Sequence, residues 1–434
     1  MTDLLKTRRK GLIVMVSKGR NRIIAGLDIG SSKVACFIAE LDEFYNPQIL
    51  GYGQHLSTGL KRGMIVDMDR TEQAIREAVH AAEDMAGVEL TGVIVSLGGL
   101  HLKSQLTDGL VVLNQQDITD ADIFKVIDVA RARQIDSDRQ IVHAQATKYQ
   151  LDNQNDIRDP RGMTGSRLEA DVHIITAATS AIRNVVRCVE RANLEVLDVV
   201  VQPIASALAT VVPDERELGV AMIDIGGGTC DVAMYAEGAL VYTAVIPLGG
   251  QHITADIARG LSTPLTSAER IKVLHGHAMA GSIAHDDSFE VPMVGDDNAS
   301  PAHPKAEAVH MTKSALAGII QPRAEEMLEH VRAKIESSGF EAAIGRRVVL
   351  TGGGSLLHGM RNLSEVVLDK SVRLARPTGV QGLTDLSGTP QFATGIGLVI
   401  YGARQAAQAS RVRIPDSRIA QWLGQAARWL KFAG

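Results

Sequence analysis

The chain has 434 residues, 45% hydrophobic and 22% charged, the balance of a soluble globular protein too long for one ordinary core. Its net charge of −5 gives no case for nucleic acid as a partner, and no apolar run is long enough to span a bilayer. Cys36, Cys188 and Cys230 are widely spaced and lie in or beside apolar stretches; buried free thiols in a reducing cytoplasm are expected, and a zinc site is not.

From the N-terminus, residues 1–22 carry Lys6, Arg8, Arg9, Lys10, Lys18, Arg20 and Arg22 and read as a basic, disordered leader. Its apolar run, residues 12–16, is too short for a signal peptide, and Met15 is an alternative start. An apolar strand over residues 24–29 carries Asp28 near its end. Gly30, Ser31, Ser32 and Lys33 follow, then a second strand over residues 34–38. Next come a strand at 49–55, a helix from about Asp69 to Ala86, and a strand at 93–97. Ala74, Ile75, Ala78, Val79 and Ala82 keep helical spacing in that helix.

The texture changes at residue 100. Residues 100–165 hold a strand at 109–113, a helix over 120–133 with Thr119 as N-cap, and a strand around 141–149. A polar, loop-like run, 152–165, ends the stretch. Strand–helix alternation resumes with 168–177 and 181–192. Gln202, beside Pro203, then sits at a strand–helix junction, where its plainest role is a cap.

Residues 219–235 repeat the first hairpin. Asp224 closes an apolar strand; Gly226, Gly227, Gly228 and Thr229 form the turn; a second apolar strand follows. Successive glycines let backbone N–H groups converge on an anion, and the Asp224 carboxylate can hold a hydrated Mg²⁺ beside it. Residues 246–248 with Gly249 and Gly250 read as strand, glycine turn and helix start. Glu269 and Lys272 share one face of a helix, in the plainest reading a solvated salt bridge. Residues 275–304 are loop-rich, with no repeated metal-ligand spacing. A long helix over 312–338 is expected to kink or break at Pro322. Residues 348–351 and Gly352, Gly353 and Gly354 make a third strand-then-glycine element. Residues 393–402 carry Gly395 and Gly397 and resemble a connecting helix whose small residues permit close packing.

Residues 405–417 read as a short polar linker before an amphipathic helix at 418–434. Ile419, Trp422, Leu423, Trp429 and Leu430 fall on one apolar arc, with Arg418, Arg428 and Lys431 off it. Such a segment lies in a membrane surface, where its three cations add about 3 kcal/mol on anionic lipid. Docking back onto the body is the alternative.

The three glycine elements, in this order and separation, resemble the two phosphate motifs and the adenosine motif of the actin/Hsp70/hexokinase superfamily. Together with the tail, the inserted stretch (residues 145–149, 159–165 and 167–170) resembles the bacterial cell-division protein FtsA, the likeness covering residues 23–434. The resemblance implies an α/β, actin-like two-lobed ATPase fold with an FtsA-type inserted subdomain and a C-terminal amphipathic helix. The first lobe would comprise 23–99, 166–205 and 385–404, and the insert 100–165. The second lobe would comprise 206–265 and 339–384, with a smaller subdomain at 266–338.

The same resemblance implies ATP and Mg²⁺ as ligands. Asp28 and Asp224 would position Mg²⁺ through water. Gly30, Ser31, Ser32, Lys33, Gly226, Gly227, Gly228 and Thr229 would bind phosphates, with Gly249 and Gly250 near the terminal one. Glu269, Lys272, Gly352, Gly353 and Gly354 would contact the adenosine, and Gln202 with Asp224 would serve a slow hydrolysis. Gln202 stands where many relatives carry an acid, which leaves the rate open. The implied partners are the FtsZ C-terminal tail, docked around 266–338, further copies of the chain in a filament, and downstream divisome membrane proteins. Anionic lipids at the inner face of the cytoplasmic membrane would be bound through Ile419, Trp422, Leu423, Arg428, Trp429, Leu430 and Lys431. A pilus-assembly relative would lack such a tail. A small-molecule kinase would need a catalytic base beside a substrate pocket.

Overall fold

A computed structural model describes residues 14–15, 22–133, 135–282, 287–292, 309–384 and 387–411. Strands β1 (Arg22–Ile29), β2 (Lys33–Leu41) and β3 (Pro47–Leu56) form an antiparallel meander, and β4 (Gly92–Leu97) adds to β1 in parallel. A fifth strand, Glu195–Val201, extends the sheet beyond β4. β1 is buried on both faces, hence its nearly unbroken apolar run. Helix α1 (Met68–Ala86) is capped by the Asp67 side chain and ends at Gly87 in the left-handed region. It buries the five predicted apolar positions against β3, where a Cβ on Gly53 would lie 2.1 Å from the Ala78 carbonyl. The leader is not wholly free: Val14–Met15 pair with Ile23 and Arg22.

The insert is a four-stranded antiparallel sheet under one helix. Its elements are β5 (Lys103–Asp117), α2 (Asp120–Arg131), β6 (Arg139–Leu151), β7 (Gln154–Ile157) and β8 (Thr164–Ala178), in sheet order β7-β6-β8-β5. Ile123, Val126 and Ile127 of α2 share a core with Ala144, Leu168, Val172 and Ile174. Two expectations shift here. The run 152–165 contains β7, and the insert's sheet continues past 165 to Ala178. Leu168, Ala170, Val172 and Ile174 keep the strand period on the face under α2, so pairing continues to that point.

After α3 (Thr179–Arg191) and β9 (Glu195–Val201), α4 (Gln202–Thr210) crosses to a second sheet. That sheet holds β10 (Val220–Ile225), β11 (Cys230–Ala236) and β12 (Ala239–Ile246). Helices α5 (Gly250–Gly260), α6 (Leu265–His275) and α7 (Lys313–Ser337) precede β13 (Arg347–Thr351), α8 (Met360–Leu368) and β14 (Ser371–Leu374). The strand order β12-β11-β10-β13-β14 repeats the first sheet's plan, a meander followed by two parallel strands. The described part of 266–338 does not form a separate core. Ala268, Ile271, Leu316, Ile320 and Leu328 pack with β10, β11 and β13. In the loop-rich stretch, Ser288–Val291 pairs with Val309–Thr312.

Helix α7 runs unbroken through Pro322. Proline removes the bond to Gly318, and both residues are exposed, so water can take up the freed carbonyl. The last helix, α9 (Ala393–Arg411), continues over 405–411, where a linker was expected. Gln405 and Ala406 are buried, and that packing carries the helix onward despite its polar composition. The remaining linker residues and the helix expected at 418–434 lie outside the described residues.

α4 and α9 cross in close contact: a Cβ on Gly397 would sit 1.7 Å from the Ala205 carbonyl. Gly397→Val should therefore destabilise the protein by roughly 3 kcal/mol, read from the midpoint of denaturant unfolding. An unchanged midpoint contradicts this packing.

Candidate functional site

The equivalent strands β1 and β10 end at the same place, and each delivers one carboxylate there. Asp28 is buried, accepting hydrogen bonds from Ser96 Oγ at 2.8 Å and Gln202 Nε2 at 3.3 Å. Asp224 accepts from Ser206 Oγ at 2.5 Å, and Thr394 Oγ1 stands 3.4 Å away. Burial raises both carboxyls. Asp224 is pushed up to about 6, with the Asp28 charge adding to the effect of burial. Lys33, half-buried with Nζ 4.1 Å from the Phe392 ring centre, is lowered to about 8 by burial, against the pull of both carboxylates.

The turns beyond these strands touch across the two lobes. Gly30 N–H donates to the Lys33 carbonyl and Gly226 N–H to the Thr229 carbonyl, closing two matching turns. A Cβ on Gly227 would lie 2.7 Å from Ser32 Cβ, and one on Gly228 2.6 Å from Ser31 Oγ. Side chains there would force the tips apart. Gly63 N–H donates to Ser31 Oγ, and Gln251 Nε2 to the Ser31 carbonyl. The Gly249–Gly250 turn packs on the second tip, with Gly250 N–H donating to the Gly226 carbonyl at 2.9 Å.

The third glycine element lies behind Asp224. Gly352, at φ +86°, passes so close that a Cβ would be 2.1 Å from Asp224 Oδ1, and a Cβ on Gly354 would strike Ile225. Lys272 is not the solvated partner of Glu269 that spacing suggests. Its Nζ reaches Glu269 at 2.7 Å, Thr254 Oγ1 at 2.9 Å and the Gly250 carbonyl at 3.1 Å, pinning α6 to the start of α5. Glu269 remains half exposed. The seven tail residues assigned to lipid lie outside the described residues.

Asp231 belongs to this site and had no assigned role. It faces Asp224 in the β10–β11 register, is buried, and leaves Oδ1 without a hydrogen bond. Burial, then the charge of Asp224, raises its carboxyl well above the usual range. Ser96, Ser206 and Thr394 were also missed. Ser206 stands one helical turn after Gln202, a spacing that could have found it.

A magnesium nucleotide fits this donor set. The oxygens are hard, the glycine tips leave room for backbone approach, and the crowded carboxylates would be relieved by a cation. Among the described residues, no three ligating side chains converge on one point, so any ion would be held largely through water and phosphate oxygens. When bound, the ion would offset phosphate charge. Asp28 and Asp224 would orient its water shell, and Gln202 and Ser206 would hold those carboxylates in place.

Comparison with known proteins gives two family models in separate parts of the chain. "Cell division protein FtsA" matches residues 221–397, and "SHS2 domain inserted in FTSA" matches residues 99–176. The cell division protein FtsA of Pseudomonas aeruginosa is 39% identical over 403 residues, covering 93% of this chain and 94% of that protein. The chain belongs to the FtsA family. It is a cell-division protein with an actin-like fold. The solved PilM–PilN type IV pilus biogenesis complex shares its fold with a TM-score of 0.61 at 18% identity, covering 88% of this chain and 98% of that one. MreB5 of Spiroplasma citri bound to ADP does so at 0.55 and 12%, covering 90% and 99%. The SHS2 match runs to 176, close to the end of β8, in accord with the longer insert. No described helix is long and apolar enough to cross a membrane.

The raised Asp224 carboxyl means that the folded chain holds a proton which the unfolded chain releases near pH 3.8. The nucleotide-free protein should thus lose stability as pH rises from about 4 to about 6. Asp224→Asn should remove the Asp224 share of that loss, adding at most about 3 kcal/mol above pH 6, read from melting curves across the range. A variant no more stable than the parent at neutral pH contradicts the burial argument.

Proposed function

We propose that this FtsA-family chain binds Mg²⁺-ATP between its two lobes and polymerises on the inner face of the cytoplasmic membrane. There it tethers the FtsZ ring and passes a signal to downstream divisome membrane proteins. The observation that carries the nucleotide reading is the pair of carboxylate-and-glycine turns meeting across the lobes. The MreB5 structure, of the same fold, is bound to ADP, which supports it. Gly30, Ser31, Ser32, Lys33 and Gly226 to Thr229 take the phosphates; Gly249 and Gly250 back the terminal one. Glu269 and Lys272, on the α5–α6 side, and Gly352 to Gly354 face the adenosine. Hydrolysis is slow, because Gln202 is engaged with Asp28.

Near-complete FtsA coverage at 39% identity favours division over pilus assembly, whose solved relative matches at 18%. Leu265, Val273 and Leu274 are exposed on α6, apolar surface suited to the FtsZ tail. Linking many weakly bound tails through a filament turns marginal lipid affinity into firm attachment.

Asp224→Ala should abolish the melting-temperature rise caused by Mg²⁺-ATP, and an unaltered rise sinks the site assignment. Trp422 and Trp429 are the chain's two tryptophans. Their emission should move to the blue on adding anionic vesicles, more so with ATP; emission already blue in buffer and indifferent to lipid places the tail on the body. Leu274→Glu should weaken an FtsZ tail peptide by about tenfold while sparing nucleotide. Equal peptide binding moves the dock elsewhere.

A further inference from the structure

We propose that Ser206 and Thr394 are positioning residues that tie the angle between the lobes to occupancy of the phosphate site. The proposal deepens the nucleotide reading above and rests on it. α4 carries Ser206 and α9 carries Thr394, and these helices pack on each other where the two sheets meet. Both hydroxyls are buried, with Ser206 fully so.

Counting protons gives the contacts a direction. Ser206 Oγ lies 2.5 Å from Asp224 Oδ2 and 2.8 Å from Thr394 Oγ1. A hydroxyl has one proton to donate. Ser206 gives its proton to the carboxylate, so the Thr394 proton fills the second contact. The chain runs Thr394 to Ser206 to Asp224. Thr394 Oγ1 also lies 3.4 Å from Asp224 Oδ2, a longer and weaker contact than its 2.8 Å approach to Ser206. The middle link is fixed within α4, where Thr210 Oγ1 donates to the Ser206 carbonyl at 2.7 Å.

Asp224 has little freedom of its own. Gly352 walls its Oδ1 side, Ser206 takes Oδ2, Asp231 faces it from β11, and Asp28 and Lys33 face it from the first lobe. A carboxylate so confined cannot shift toward a ligand without drawing α4, and α4 cannot move without α9, because Gly397 lies against Ala205. The glycine tips touch, so a phosphate chain bound against them bears on the angle between the lobes. The hydroxyl chain carries a change in that angle to both crossing helices.

Hydrogen exchange of the full chain, with and without Mg²⁺-ATP, tests this. In the unmodified protein, nucleotide should slow exchange in residues 395–399 of α9 by about tenfold. At saturating Mg²⁺-ATP, Thr394→Val should lose that protection, and Thr394→Ser should restore it. Without nucleotide, Ser206→Ala and Thr394→Val should each speed exchange in α9, and the double variant should match Ser206→Ala alone. Additive effects, or full protection in Thr394→Val, overturn the proposal. If nucleotide leaves every amide of the unmodified chain unchanged, including those of 226–229, the nucleotide reading falls and takes the coupling with it. Additivity without nucleotide refutes the hydroxyl chain by itself.

Discussion

Two carboxylates from different lobes are buried at one point, and the rest of the molecule is arranged to tolerate them. Like charges removed from water repel strongly, so each is hedged with donors: Ser96 and Gln202 around Asp28, Ser206 and Thr394 around Asp224. The half-buried Lys33 answers both, at a cost to its own ionised form. Asp231 meets the same crowding with a carboxyl raised well above its usual range by burial and by the Asp224 charge. A site that stores repulsion in this way is less stable empty than a neutral one, and a cation with phosphate relieves it. That places the stability cost at the functional centre.

The duplicated sheet plan is what brings the carboxylates together. Each meander ends in a turn where glycine or a small hydroxyl residue replaces bulk, and each central strand carries its aspartate at the same height. α4 and α9 join the halves through small residues. The insert adds a further tie. It hangs from the first lobe, yet Ser104 Oγ accepts from Thr243 N–H at 3.2 Å, on the edge strand of the second sheet. His173, fully buried and 2.7 Å from that hydroxyl, is lowered to about 3 by burial and stays neutral there. The edge strand is thereby covered and partly satisfied, which lowers its tendency to pair elsewhere.

Much of this could be read from residues alone because the signals are local. Asp28 with Gly30, and Asp224 with three glycines, mark their turns through backbone freedom; the spacing of Ala74 to Ala82 marks the buried face of α1. What escaped depends on contacts distant in sequence. Ser206 and Thr394 are 188 positions apart and acquire meaning only where two helices cross. The end of the insert was set too early because β8 is one long strand whose pairing partners lie far upstream. Pro322 sits inside a helix because Gly318 faces water, and residues 405–411 stay helical because Gln405 is buried; neither follows from composition.

The central claim is that Asp28 and Asp224 act jointly on one divalent ion with a nucleotide. Mn²⁺ in place of Mg²⁺, followed by electron paramagnetic resonance, tests it directly. The account predicts one tightly held Mn²⁺ per chain when ATP is present and none without it, with the tight site lost in either Asp28→Asn or Asp224→Asn. Retention of the bound ion in both variants, or equally tight ATP binding when the metal is chelated, would contradict it.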